Sequence, residues 1–210
     1  MRVSVANACY ASPVRIIGLR VRSGFAVGVL LLGDVAAWRV ERRMDLPLTR
    51  GQGEYARFPF HPLIDLDAVA GAAVSEQALC DVRSAGRALD EVLGSLLPLD
   101  GAAIVAGSLL APEKIANPHM RTHAKEGQLF RTVLSEALAR AGIAATVTGE
   151  KRVRAQAAEA LKVSETDLLR AVTGAGRGTK PWRSDEKLAT FGALCKLAGT
   201  ATDTMARIST

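Results

Sequence analysis

Cysteine is scarce and scattered in this chain: Cys9, Cys80 and Cys195 are odd in number, far apart, and form no closely spaced pair. That excludes a disulfide framework and a paired-thiolate metal site, and sets the expectation of a reducing, cytoplasmic setting. Long apolar runs are also missing. The most hydrophobic stretch, Phe25–Val40, is too short for a bilayer and is broken by Gly33-Asp34. No membrane span is therefore expected, and the first residues lack the sustained apolar segment of a signal peptide. Internal repeats and low-complexity blocks are absent too, which sets solenoids and disordered linkers aside.

What the 210 residues do have is core material, 49% of them hydrophobic. This is enough for one packed domain, expected over residues 14–198 between an N-terminal extension (1–13) and a flexible tail (199–210). Lys+Arg 27 against Asp+Glu 21 leaves a net charge of +6. A moderate basic excess of this kind suits a polyanion, and nucleic acid is the expected partner, with a homodimer or a protein partner as the other possibility.

Read in order, Val14–Arg22, Phe25–Leu32 and Val35–Arg42 are β-rich runs separated by the turn signals Ser23-Gly24 and Gly33-Asp34, so they predict an antiparallel meander. Leu46–Pro62 mixes prolines and glycines with Tyr55, Phe58, Phe60 and His61 and reads as a loop whose aromatics pack back on the body. A helix capped by Ser75 follows, with Leu79, Val82, Leu89, Leu93 and Leu96 on one face. Then come a buried strand at Ala102–Leu110, a second helix, and a strand at Ile143–Thr148. Helices alternating with strands in this way imply parallel crossovers and a mixed α/β sheet covered on both faces.

The second helix, within Asn117–Gly142, organises the reading. Leu129, Phe130, Val133, Leu134, Ala137, Leu138 and Ala141 recur at helical spacing. Carried back toward the start, the same face passes through Glu126, His123 and His119. Two imidazoles at i, i+4 and a carboxylate suit a divalent metal such as magnesium, manganese or zinc, and the same three groups suit a nuclease's catalytic site. The plainer alternative is a helix start whose histidines bond to loop carbonyls. Arg121 and Lys125 lie on other faces and suit an anion, or simply solvent.

The last third is helical. Residues 152–173 form two short helices about Lys162-Val163-Ser164. The pair resembles a helix-turn-helix, but Glu165, Thr166 and Asp167 open its second helix and would repel phosphate, so an ordinary hairpin is expected. Gly174–Arg183 gathers three glycines with Arg177, Lys180 and Arg183 before a helix capped by Ser184. Such a loop lets backbone N–H groups and cations approach phosphates, and Trp182 is placed to stack on a base. A solvated connector is the competing reading.

The meander and the helix-strand order that follows resemble the ribonuclease-H-like superfamily, in particular its Holliday-junction resolvase (RuvC-like) branch. Ile16-Ile-Gly-Leu-Arg20 with Ser23-Gly-Phe-Ala-Val27 is similar to that branch's first strand and turn, and Val172–Lys180 to its Gly- and Lys-bearing loop before the last helix. The resemblance implies a nucleic-acid-handling fold and two metal ions held by carboxylates from the first strand, the region after the fourth strand, and the last helix. Arg20 occupies the first-strand position, Val105-Ala-Gly-Ser108 supplies no acid, and only Asp185 and Glu186 match in kind. The resemblance thus implies either an inactive nucleic-acid-binding member or a metal-dependent nuclease with a relocated site at His119, His123 and Glu126, with Asp185. Arg20 itself becomes a candidate nucleic-acid contact.

Overall fold

In the computed structural model, residues 13–208 are described, with side chains through Thr200; Cys9 and most of the expected N-terminal extension fall outside this range. β1 (Val14–Arg22), β2 (Phe25–Gly33) and β3 (Trp38–Pro47) form the antiparallel meander. β1 also pairs in parallel with β4 (Gly101–Ala106), and β4 in parallel with β5 (Ala145–Gly149). The five-stranded sheet has the order β3-β2-β1-β4-β5.

The third strand begins later than Val35 and runs on to Pro47. Its start is displaced because the Asp34 carboxylate accepts the N–H groups of Ala36 and Ala37 at 2.8 and 2.7 Å, which holds 34–37 in a turn.

Helices cover both faces. α1 (Pro62–Asp65) is a single turn leading into α2 (Ala68–Leu96), which packs with α3 (Pro118–Arg140) on one face over Ile17, Leu19, Leu30 and Ile104. α4 (Glu150–Leu161), α5 (Glu165–Ala175) and α6 (Ser184–Ile208) lie on the other, over Ile16, Val29, Leu31 and Val105. The alternation along β1 assigns each residue its side, because successive strand residues point to opposite faces. Ile16, Gly18 and Arg20 therefore face α6.

α2 starts at Asp67 rather than Ser75. The Asp67 carboxylate accepts from Val69 and Ala70, while Ser75 is buried inside the helix and donates to the Pro59 carbonyl at 2.7 Å. Ala70, Gly71, Ala72 and Ala73 carry too little hydropathy to announce that first turn. α3 begins where expected, with the Asn117 side chain accepting from the Met120 N–H at 3.0 Å. α6 continues through Ile208, so the backbone is helical where a tail from Gly199 was expected. One glycine costs a helix only about 1 kcal/mol, and Ala201, Met205, Ala206 and Arg207 all favour continuing it.

The close seat of α6 on the sheet depends on Gly18. A Cβ there would meet the Ala189 carbonyl oxygen at 1.8 Å. The start of α6 is thereby pulled against the C-terminal end of β1, beside Arg20.

Candidate nucleic-acid cleft and histidine cluster

The parallel strands β1, β4 and β5 all end on one side of the molecule. Arg20 pairs in register with Val105, Val105 with Thr148, and Ala106 with Gly149, the residue before Glu150. Arg20, Gly107 and Glu150 are thus brought together by topology across 130 residues of sequence. Outside these strand ends, as is usual for ligand sites in open α/β sheets, lies a cleft of about 500 Å³ lined by Arg20, Arg22, Phe25, Arg57, Phe58 and His123, among others.

Arg20 is 2% exposed. Its guanidinium donates to the carbonyls of Val21 and Val105 at 2.9 and 3.3 Å. It is ion-paired to Glu150, and to Asp185 at 3.6 Å. Burial pushes its pKa down from the usual arginine value, against the pull of Glu150 and Asp185; a guanidinium so placed keeps its charge. A Cβ on Gly107 would stand 3.8 Å from Arg20 Nη2 and 4.0 Å from Glu150 Oε1, so the segment after β4 meets the cation with no acid of its own. Arg22 is 3.8 Å from the second Asp185 oxygen. Glu186 is also occupied: Arg43 of β3 donates to it at 2.9 and 3.2 Å, and its other oxygen accepts the Arg183 N–H at 2.7 Å, closing the first turn of α6.

This donor set does not fit the two metal ions that a ribonuclease-H-like site implies. Two divalent ions need anionic oxygens held free of competing cations. Here each last-helix carboxylate is already neutralised by an arginine, and the first-strand position is itself a cation.

The histidines gather on the other side of the cleft. His119 and His123, on the exposed start of α3, face each other with Nε2 atoms 3.1 Å apart. His61, from the turn before α1, joins them, with ring centroids 5.1 Å from His119 and 4.6 Å from His123. One nitrogen of each ring lies within 4.8 Å of the others. Glu126 is fully buried beneath. Its Oε1 accepts from His61 Nδ1 at 2.7 Å and from the Phe60 N–H at 3.3 Å. Its Oε2, 3.6 Å from His123 Nδ1, has no hydrogen-bond partner. Sequence reasoning missed His61. The available signal was that His61 is one of only three histidines and sits among aromatics expected to fold back on the body.

The remaining candidates divide by position. Arg121 donates to the carbonyls of Ile115 and Ala116, holding the connection into α3. Lys125, Arg177, Lys180 and Arg183 are exposed. Trp182 is half-buried: its indole N–H donates to the Val172 carbonyl at 3.1 Å, and its ring covers Gly176. Asp185 stands with Arg20 and Arg22, apart from the three histidines. In the helical hairpin, Glu165 is engaged by Arg154 at 2.6 Å. Cys195 lies against the Val153 carbonyl, and burial pushes its thiol up to about 11, so it is no thiolate nucleophile near neutrality. Among the described residues, no helix is long and apolar enough to cross a membrane.

No family model matches the sequence, and no curated protein does either. Solved structures do. A chain of Thermus thermophilus RuvC in complex with a Holliday junction substrate superposes with a TM-score of 0.54 at 14% identity, covering 90% of this chain and 96% of that one. A second Thermus thermophilus RuvC structure gives 0.53 at 13% identity, covering 90% and 97%. The chain therefore has the RuvC-like, ribonuclease-H-like fold over nearly its whole length.

Proposed function

We propose that this protein is a nucleic-acid-binding module of RuvC-like fold in which ion pairs replace the two-metal carboxylate centre. One observation carries the reading: the buried Arg20 guanidinium, paired with Glu150 and Asp185, stands at the strand ends where that centre belongs. The cleft it borders presents further positive charge through Arg22 and Arg57. Arg57 is itself steadied over the Phe25 ring at 5.7 Å. Cations beside apolar and aromatic surface suit a sugar-phosphate strand and its bases. The solved complex of Thermus thermophilus RuvC with a Holliday junction substrate makes branched DNA the first polyanion to try. Arg177, Lys180 and Arg183, exposed on the segment before α6, are further candidate phosphate contacts.

A second reading, a metal-dependent nuclease working from the histidines, draws support from His123, which lines both the cleft and the smaller cavity of the cluster. Asp185 is not counted in it, because its carboxylate is paired with Arg20 and Arg22.

The test is DNA binding measured across a salt series. Four-way-junction and duplex DNA are expected to bind with an affinity that falls steeply as salt rises. Arg22→Ala/Arg57→Ala is expected to reduce the logarithmic salt slope by about 2, one phosphate contact for each arginine. Affinity that ignores salt, or a double variant binding like the wild type, would overturn the assignment of the cleft.

A further inference from the structure

We infer that His61, His119 and His123 form a three-nitrogen site for a single dication of the zinc class, with Glu126 behind them as a positioning residue. The inference is independent of nucleic-acid binding and stands on the cluster alone.

The first ground is the direction of the rings. Glu126 Oε1 lies 2.7 Å from His61 Nδ1. A carboxylate can only accept there, so the proton sits on Nδ1 and the His61 Nε2 lone pair is left free. His123 is turned the same way, with Nδ1 toward Glu126 and Nε2 toward His119. Two nitrogens bound to one tetrahedral zinc ion at ~2.0–2.1 Å lie about 3.3–3.4 Å apart. The observed 3.1 Å between His119 and His123 Nε2 needs only a small opening to admit the ion.

The second ground is the orphaned oxygen. Glu126 is fully buried, and its Oε2 has no hydrogen-bond partner, an arrangement that costs free energy unless something answers it. With a metal on His123 Nε2, the proton of that ring must reside on Nδ1, which faces Oε2 from 3.6 Å. A small tilt then lets one carboxylate orient two metal-binding imidazoles at once, the carboxylate–histidine–metal arrangement that fixes tautomer and ring angle. Glu126 is thus placed behind the ligands, where the sequence suggested a ligand.

The third ground is the class of donor and the cavity beside it. Imidazole donors favour zinc, nickel or cobalt over magnesium, which prefers oxygen. Three protein ligands would leave a fourth position for water or another donor, and the three histidines line a cavity of about 220 Å³ together with Glu54, Tyr55, Phe58 and Asp65. Such a site would also pin the Phe58–His61 turn to the start of α3, adding to the Glu126 hydrogen bonds and the Phe58–His123 edge contact that join them.

The experiment uses untagged full-length protein, stripped with chelator and dialysed. It is titrated with zinc by calorimetry and with cobalt by visible absorption. One ion per chain is expected, with cobalt bands of four-coordinate intensity and a raised melting temperature. His119→Ala and His123→Ala change exposed residues, so the fold should persist, and each is expected to weaken zinc by roughly 100-fold or more. Glu126→Gln is expected to weaken it ~10–100-fold while leaving the cobalt bands in place, since outer groups tune a site they do not ligate. Failure of folded wild-type protein to bind stoichiometric zinc, or zinc affinity unchanged in His119→Ala, would overturn the site. Loss of the four-coordinate spectrum in a folded Glu126→Gln would overturn the positioning role.

Discussion

At the residue scale, the proposed function turns on the buried Arg20. Arg20 has its head group between Glu150 and Asp185, and losing that cation would leave two carboxylates facing each other with only the more exposed Arg22, 3.8 Å from Asp185, to offset them. Arg20→Asp is accordingly expected to lower the melting temperature in metal-free buffer and to make it rise with added magnesium, which the wild type should not show. Magnesium is the diagnostic ion because it prefers oxygen and ignores imidazoles. At 100 times its dissociation constant, a ligand specific for the folded state stabilises by about 2.7 kcal/mol. A variant that gains nothing from magnesium would mean that the two acids cannot converge on an ion, and that Arg20 fills a gap rather than replacing a metal.

Arg20 was legible as a departure because the residues around it, Ile16-Ile-Gly-Leu and Ser23-Gly, carry the resemblance. Its partner Glu150 was not, since only the β1-β4-β5 register brings a residue 130 positions away into contact. His119 and His123 were legible because helical spacing is local. His61 sits in a turn with no periodicity, so nothing tied it to α3.

At the scale of elements, the strongly periodic α3, expected within Asn117–Gly142, runs over Pro118–Arg140, and the boundaries that differ do so for separate local reasons. β3 slid because Asp34 makes a side-chain turn that strand propensity does not register. α2 began early because alanine and glycine carry a helix without marking a face. α6 outran Gly199 because one weak residue does not stop a helix already seated on the sheet. That seating is the feature most sensitive to substitution. Gly18→Ala is expected to destabilise by ~1–3 kcal/mol or more, because its Cβ would overlap the backbone oxygen of Ala189 and force α6 outward. Gly94→Ala, in α2 with nothing within 4 Å of the added carbon, is the matched control. It is expected to stabilise by ~0.5–1 kcal/mol. Chemical denaturation of both would settle the comparison; equal and small effects would mean that α6 does not depend on close approach at β1.

At the scale of the whole molecule, the proposed function rests on three strands ending together, a cleft bearing arginines, and last-helix carboxylates paired with arginines. On the function proposed above, binding would be separated from cleavage. The one measurement that addresses this most directly is cleavage of labelled four-way-junction DNA at concentrations where the protein is shown to bind it, with magnesium, manganese or zinc supplied. The account predicts a bound, intact junction under magnesium and manganese, unchanged by Asp185→Asn. Metal-dependent cleavage that Asp185→Asn abolishes would contradict it, since the carboxylate centre would then be at work despite the arginine beside it.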